Sequence, residues 1–232
     1  MIFREWNELP KFMQTEEVRL YYDKLKKKKL QLKAKRVFDF SVALAMLMVC
    51  ALPMLVIAVL IKLDSKGPVF YRQERVTAYG RKFKIHKFRT MVNNADQKGS
   101  AVTVENDSRI TKVGQKLRGM RLDELPQLID VLNGDMSFVG TRPEVVKYVK
   151  RYKPEYRATL LLPAGITSEA SIRYKDEDKL LNVADDVDKV YVEKVLAQKM
   201  EYNLKSLKKF SFIGDILTMF RTVFAVLGKD YE

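Results

Sequence analysis

Two adjacent carboxylates, Asp123 and Glu124, stand just before Pro126. Proline is common in the first turn of a helix, where unpaired N–H groups and the helix dipole favour negatively charged side chains. One interpretation is therefore structural, with Asp123 as a helix cap and Glu124 as an acid of the first turn. The other is chemical, because an ionised aspartate can attack phosphorus and form an acyl phosphate.

Arginines on both sides of this acidic pair favour the chemical interpretation. Arg118 and Arg121 precede the pair, and Arg142 follows it. An arginine side chain binds two phosphate oxygens at once, and Mg²⁺ is usually held by carboxylates together with substrate phosphates. We therefore predict that Asp123 and Glu124 hold a divalent cation and a diphosphate with the help of these arginines.

A long apolar run must position this chemistry at a membrane. No residue between positions 40 and 61 is charged, and a straight helix over that run would be about 33 Å long, close to one hydrocarbon thickness. Pro53 interrupts the run, and a proline inside a helix bends or breaks it. The run is therefore either a kinked membrane-spanning helix or a re-entrant hairpin of two pieces, residues 35–52 and 54–63.

Basic residues flank the apolar run at both ends. A spanning helix carries basic residues mainly on its cytoplasmic side, so two basic flanks favour the re-entrant hairpin, with both ends at the same anionic leaflet. The upstream cluster is Lys24, Lys26, Lys27, Lys28, Lys29, Lys33, Lys35 and Arg36, and the downstream cluster is Lys62, Lys66, Arg72, Arg75, Arg81, Lys82, Lys84 and Lys87.

The composition limits which covalent cross-links, metal sites and partners are expected. The chain has 232 residues, a formal net charge of +14, one cysteine and one histidine. Cys50 lies inside the apolar run, so a disulfide framework is not expected, and the single His86 excludes a multi-histidine metal site. The charge fits anionic lipid or phosphorylated substrates. Nucleic acid is not expected as a partner, because the aromatic residues are not interleaved with the basic ones.

The remaining patterns predict an α+β fold that is mostly helical. We expect residues 1–34 to form a basic, exposed N-terminal extension, residues 35–63 the re-entrant membrane hairpin, and residues 64–232 a cytosolic domain. Alternation of apolar and basic residues over positions 83–88 predicts a strand that pairs with residues 69–72 in a small β-hairpin. Helices are predicted near residues 112–118, 126–132, 143–152 and 186–200.

The C-terminal helix is predicted to be amphipathic. Its apolar residues recur every three or four positions and therefore share one face. That face either packs into the core or lies in the membrane interface. Its members are Ile213, Ile216, Leu217, Phe220, Val223, Phe224 and Leu227.

Five motifs occur in order between about residues 33 and 228, and together they resemble the bacterial sugar transferases, the monotopic phosphoglycosyl transferases that act on polyprenyl phosphate. The five motifs are Lys35-Arg36-Val37-Phe38-Asp39, Gly67-Pro68-Val69-Phe70-Tyr71-Arg72-Gln73-Glu74-Arg75, Lys87-Phe88-Arg89-Thr90-Met91, Leu122-Asp123-Glu124-Leu125-Pro126-Gln127-Leu128 and Gly134-Asp135-Met136-Ser137-Phe138-Val139-Gly140.

The resemblance implies an enzyme that transfers a sugar 1-phosphate from a UDP-sugar to undecaprenyl phosphate, releases UMP and requires Mg²⁺. Asp123 would be the nucleophile that carries the phosphosugar covalently, and Glu124 would assist with the metal ion or with the acceptor's proton. Lys35, Arg36 and Asp39 would lie at the mouth of a re-entrant helix broken at Pro53. Phosphate or substrate would be bound by Arg118, Arg142, Arg173, Lys175, Lys87 and Arg89.

The resemblance also implies a location. The protein would be monotopic in the bacterial inner membrane, with its catalytic domain on the cytoplasmic face. We expect a UDP-sugar, undecaprenyl phosphate and anionic membrane lipid as partners, and a homodimer is one candidate assembly. The alternative is a non-catalytic membrane adaptor that binds anionic lipid or a partner protein, although an adaptor needs no cluster of carboxylates and arginines.

Overall fold

The computed structural model describes residues 3–93, 95, 107–174 and 187–226. Within them the fold is α+β and mostly helical, as predicted. The strands are β1 (Phe70–Val76), β2 (Lys82–Phe88), β3 (Met136–Val139) and β4 (Ala164–Thr167). The helices are α1 (Glu16–Lys26), α2 (Lys29–Asp64), α3 (Lys112–Gly119), α4 (Gln127–Asn133), α5 (Val146–Val149), α6 (Glu169–Arg173), α7 (Val187–Val190), α8 (Leu196–Lys208) and α9 (Phe212–Val226), with a π-helical turn at Tyr191–Val195 between α7 and α8.

The apolar run lies in α2, a single α-helix that includes Pro53. It starts earlier than the predicted hairpin and is helical on both sides of the proline. In the described part of the chain, α2 alone is long and apolar enough to cross a membrane, by length and composition. Its buried residues lie near its two ends, and none lies between Ala43 and Ile57. The middle of α2 therefore extends away from the domain.

The predicted β-hairpin is confirmed. β1 and β2 pair antiparallel, with Phe70 opposite Phe88 and Val76 opposite Lys82. The alternation in β2 has the expected result, since Phe83 and Ile85 are buried between exposed lysines. Their burial joins the hairpin to the core beneath α4.

A second, parallel strand pair had no clear signal in the sequence. β3 and β4 are short, and Ser137 lies opposite Gly165. A Cβ atom on Gly165 would lie 2.2 Å from the backbone nitrogen of Gly140. Only glycine allows this close approach, which brings the two chain segments together immediately before Arg142.

The expectation of an exposed N-terminal extension is wrong. Residues from Leu9 to Leu25 form part of the largest core cluster, and Met13, Val18 and Leu25 are fully buried. They pack on Tyr148, Tyr152, Leu160, Leu161, Tyr191, Met200 and Leu204. The lysine-rich composition concealed the apolar residues of α1, which recur at helical spacing and form a buried stripe.

The C-terminal helix α9 turns its apolar side outward. Ile213, Leu217, Phe220 and Val223 are all more than half exposed. The polar side of α9 faces the protein instead, where Thr218 is its buried residue. The core-packing interpretation of this face is therefore wrong for these residues.

Candidate active site

The acidic pair lies in a 3₁₀ turn, Leu122–Glu124, between α3 and α4. The residue before the turn, Arg121, has a left-handed backbone with φ of 56°. Such a conformation is uncommon for a residue with a Cβ atom and is often found at functional sites. No side chain caps the start of α4. The interpretation of Asp123 as a helix cap is therefore wrong.

Glu124 is held between two cations. Lys87 Nζ lies 2.8 Å from its Oε1, and Arg142 grips both carboxylate oxygens, with Nη1 3.3 Å from Oε2. Burial alone would raise the pKa of Glu124, but the charges of Arg142 and Lys87 hold it well below the ordinary value. Glu124 is therefore ionised at neutral pH.

Asp123 differs from its neighbour although both are largely buried. It is 8% exposed, and its carboxylate forms no hydrogen bond or ion pair with the described residues. Burial raises the pKa of Asp123, the charge of Glu124 adds to this, and Lys87, Arg118 and Arg142 act in the opposite direction. Asp123 is thus the acid whose oxygens remain available to a ligand.

The β3–β4 pair positions Arg142. Gly140 N–H donates to Thr167 O at 3.0 Å, and Gly165 N–H donates to Thr141 O at 2.9 Å. These two hydrogen bonds extend the backbone pairing of β3 and β4 as far as Thr141, the residue before Arg142. On the other side of Arg142, Arg75 donates to Pro143 O at 3.1 Å. The arginine therefore emerges from backbone that is fixed on both sides.

β2 delivers Lys87 to the site. His86, the residue before it, binds Asp130 of α4 twice: through its backbone N–H at 2.9 Å and its ring Nδ1 at 2.6 Å. This double contact ties β2 to α4, so Lys87 and Glu124 keep their spacing. As predicted, His86 is a strand residue.

The structure brings together some of the predicted binding residues and not others. Lys87, Arg118 and Arg142 all act electrostatically on Asp123. Arg89 is directed elsewhere: it is buried and donates to Ser65 O at 2.6 Å and Lys66 O at 3.1 Å, which fixes the end of α2. Arg173 stacks over the ring of Tyr202 at 5.0 Å. Lys175 lies outside the described residues.

Three of the predicted membrane residues, Lys35, Arg36 and Asp39, anchor α2. Arg36 donates to Val131 O at 2.6 Å and to Leu132 O at 2.8 Å, at the end of α4. Lys35 Nζ lies 2.7 Å from Asp215 of α9 and 3.7 Å from Asp39. These contacts fix the first part of α2 to the domain and to α9.

Sequence reasoning missed two residues of the site. Arg75 supports the backbone beside Arg142, and Gln127 is a buried side chain one turn after the dyad. Both belong to motifs that were quoted above for the resemblance. Spacing alone gave neither of them a role.

The donor set fits Mg²⁺ only with help from a ligand. No group of three or more metal-binding side chains occurs among the described residues. Glu124 is already neutralised by two cations, which leaves Asp123 as the available carboxylate. Because Mg²⁺ is often bound through one or two carboxylates plus substrate phosphates, the residues present fit the ion when a diphosphate completes its ligands.

The fold and the site together define a class. An unpaired buried carboxylate beside a cation-rich cluster suits an anionic ligand, and the two outward-facing apolar helices suit a membrane. The bacterial sugar transferase family matches residues 30–229. The chain belongs to the bacterial sugar transferase family.

Curated relatives agree with this assignment. A UDP-N-acetylgalactosamine-undecaprenyl-phosphate N-acetylgalactosaminephosphotransferase of Aeromonas hydrophila is 36% identical over 196 residues, 83% of this chain and 43% of that protein. A UDP-glucose:undecaprenyl-phosphate glucose-1-phosphate transferase of Caulobacter vibrioides is 36% identical over 200 residues, 84% of this chain and 70% of that protein. The exopolysaccharide production protein PSS of Rhizobium leguminosarum is 40% identical over 151 residues, 62% of this chain and 76% of that protein. The chain thus spans less than half the length of the Aeromonas relative.

Proposed function

We propose that this protein is a membrane-bound phosphoglycosyl transferase that moves a sugar 1-phosphate from a UDP-sugar to undecaprenyl phosphate. The observation that carries the proposal is the contrast within the dyad: Asp123 is buried and has no hydrogen bond or ion pair with the described residues, while Glu124 holds two cations beside it. The names of the Aeromonas and Caulobacter relatives support the donor and acceptor classes. The reaction would be the first membrane step in the assembly of a surface or secreted glycan.

In the first half-reaction, an oxygen of ionised Asp123 attacks the phosphorus attached to the sugar. A bond forms between this oxygen and phosphorus, and the bond to the bridging oxygen breaks, so UMP leaves with the electron pair. Arg142, Lys87 and Arg118 stabilise the negative charge on the phosphates. Mg²⁺, when bound, neutralises further phosphate charge.

In the second half-reaction, a phosphate oxygen of undecaprenyl phosphate attacks the aspartyl phosphate. The new phosphorus–oxygen bond releases the Asp123 carboxylate and yields the lipid-linked diphosphate sugar. Glu124 keeps Lys87 and Arg142 in place throughout. The two steps are each a displacement at phosphorus, so one site serves both.

We also propose that α2 is re-entrant, because its two ends are fixed to one small region. Arg36 is bound at Leu132, whereas Ile61 packs in a cluster with Leu125. Leu125 and Leu132 are seven residues apart, about 10 Å at the helical rise, while Arg36 and Ile61 would be about 38 Å apart on a straight helix. A bend near Pro53 reconciles the two lengths and supports entry and return on one side of the membrane.

We propose that α9 lies in the membrane interface. Its apolar residues face outward, and its polar side is bound to the domain through Thr218, Thr222 and Arg221. α9 begins beside α2, where the rings of Phe212 and Phe38 meet edge to face with their centroids 5.4 Å apart. Together the two helices would hold the site at the depth of a lipid phosphate, in the cytoplasmic leaflet of a bacterial inner membrane that contains anionic lipid.

UMP release tests the proposed function. The purified protein, in nanodiscs with undecaprenyl phosphate and Mg²⁺, is supplied with a panel of UDP-sugars while UMP is measured. We expect release with at least one sugar, and without the acceptor we expect a phosphosugar adduct on Asp123 by intact-protein and peptide mass spectrometry. Asp123→Asn should abolish both signals.

A matched control is Asp135→Asn, which makes the same substitution at a residue that pairs with Arg81 outside the dyad. This variant should retain release and adduct. Undiminished turnover in Asp123→Asn would refute the covalent role of Asp123. If the parent protein releases no UMP from any UDP-sugar yet stays bound to membranes, the adaptor hypothesis replaces the enzyme.

A further inference from the structure

Gln127 is a fully buried side chain whose amide is unsatisfied. It is 1% exposed, and neither Nε2 nor Oε1 has a hydrogen-bond partner in the described part of the chain. An unpaired buried polar group destabilises a fold, and folded proteins retain few of them. Here both ends of one carboxamide are unpaired, so packing alone does not account for the residue.

The position of Gln127 connects it to the reacting acid. It begins α4, one turn after the 3₁₀ turn that carries Asp123 and Glu124. Helical side chains lean toward the preceding turn, so the expected direction of the Gln127 side chain is toward that acidic turn. Asp123 is also buried, and within the described ranges no residue forms a hydrogen bond or ion pair with its carboxylate. Two unpaired polar side chains, one turn apart, mark a place where a ligand completes the hydrogen bonds.

The surrounding charges indicate what kind of ligand group Gln127 meets. Lys87 and Arg142 already supply positive charge beside Glu124. A neutral amide adds a directed N–H donor and an acceptor without a further charge. The oxygens of a phosphoryl group can accept a hydrogen bond from the amide N–H. A water molecule bound to the ligand, or a sugar hydroxyl, can donate a hydrogen bond to the amide oxygen. A purely apolar ligand would leave both atoms unpaired.

We propose that Gln127 contacts the transferred phosphoryl group directly, with its Nε2–H donating to a non-bridging oxygen while Asp123 attacks. The inference rests on the proposed function and adds a residue to it. Gln127 makes and breaks no covalent bond; it fixes the orientation of the phosphorus toward the Asp123 oxygen. The hydrogen bond strengthens as negative charge builds on the phosphoryl oxygens, so it favours the transition state.

Gln127→Met tests the proposal, because methionine has a similar unbranched shape without the amide. We expect an unchanged or higher melting temperature, since the substitution removes two unsatisfied polar atoms. We also expect the single-turnover rate of UMP release to fall by about 10–100-fold, as for a lost hydrogen bond to a charged group. Adduct formation on Asp123, followed by intact mass, should slow by the same factor.

The matched control is Leu128→Met, a volume-conserving change at the next, equally buried residue of α4. It should leave the burst of UMP within twofold of the parent. A Gln127→Met protein with a parental burst rate would overturn the proposal, and so would a melting temperature lowered by several degrees, which would show a structural partner. Absence of UMP release from the parent itself would instead count against the proposed function.

Discussion

The protein contains two ion clusters with opposite arrangements of charge, one at the candidate active site and one between α2 and α9. The site cluster has one carboxylate, Glu124, between Lys87 and Arg142. The second cluster has one cation, Lys35, between Asp39 and Asp215, and it joins α2 to α9. We call the latter the helix clamp. One cluster has a surplus of positive charge, and the other has a surplus of negative charge.

The difference matches what each cluster must hold. Under the proposed function, the site cluster binds phosphate with the positive charge that Glu124 alone does not balance. In the helix clamp, Ser137 donates a hydrogen bond of 2.8 Å to Asp39 Oδ2 and the two acids share Lys35, while Asp39 Oδ1 has no hydrogen-bond partner among the described residues. A structural cluster of this kind should affect stability, whereas the site cluster should affect both stability and chemistry.

The largest effect on stability is expected from Lys35→Met. The substitution removes the cation between buried Asp39 and partly buried Asp215, and breaking a buried ion pair costs about 3–5 kcal/mol. The free energy of unfolding in detergent micelles should fall by that amount. Lys33→Met, an exposed change in the same helix, should have little effect. If both variants unfold alike, the helix clamp does not hold α2 and α9 together.

A second, smaller loss is expected from Glu124→Gln. It removes the negative charge between Lys87 and Arg142, and the partial exposure of these two side chains limits the cost to about 2 kcal/mol. The folded pKa of Glu124 is depressed, so its contribution is present above the unfolded pKa and is lost as the pH falls through the folded value. The stability gap between parent and variant, measured from neutral pH downward, should therefore close only in strongly acidic buffer. A gap that is constant with pH would contradict this assignment.

Part of the fold and part of the candidate site could be predicted from the sequence. The β-hairpin followed from alternation over residues 83–88, and the dyad and Arg142 followed from the spacing of acids and arginines. Other features depend on contacts between distant segments. The glycine pair Gly140 and Gly165 is visible only when β3 meets β4, and the role of Arg89 depends on where α2 ends. Likewise, burial of the N-terminal segment depends on partners more than a hundred residues away.

Asp123→Asn should change the free energy of unfolding in the opposite direction to Glu124→Gln, although the two acids are adjacent. Burial raises the folded pKa of Asp123, so stability from this group is present at low pH and is lost as the pH rises through the folded value. At neutral pH the asparagine should therefore raise the free energy of unfolding by about 0.5–1 kcal/mol. In the parent, the UMP-release rate should fall on acidification with a midpoint above 3.8. Destabilisation by asparagine would show that Asp123 has a partner in the fold.

The smallest effect is expected at the other contact that holds α9. Arg221 pairs with Glu169 at 3.0 Å, but its side chain is 57% exposed and that of Glu169 is 27% exposed. Water screens such a pair, and exposed ion pairs contribute about 0–1 kcal/mol. A double-mutant cycle with Arg221→Met and Glu169→Gln should give a coupling energy in that range. If the coupling energy were as large as that between Lys35 and Asp215, an exposed pair would hold α9 as strongly as the helix clamp does. Burial would then not explain why the two contacts of α9 differ in strength.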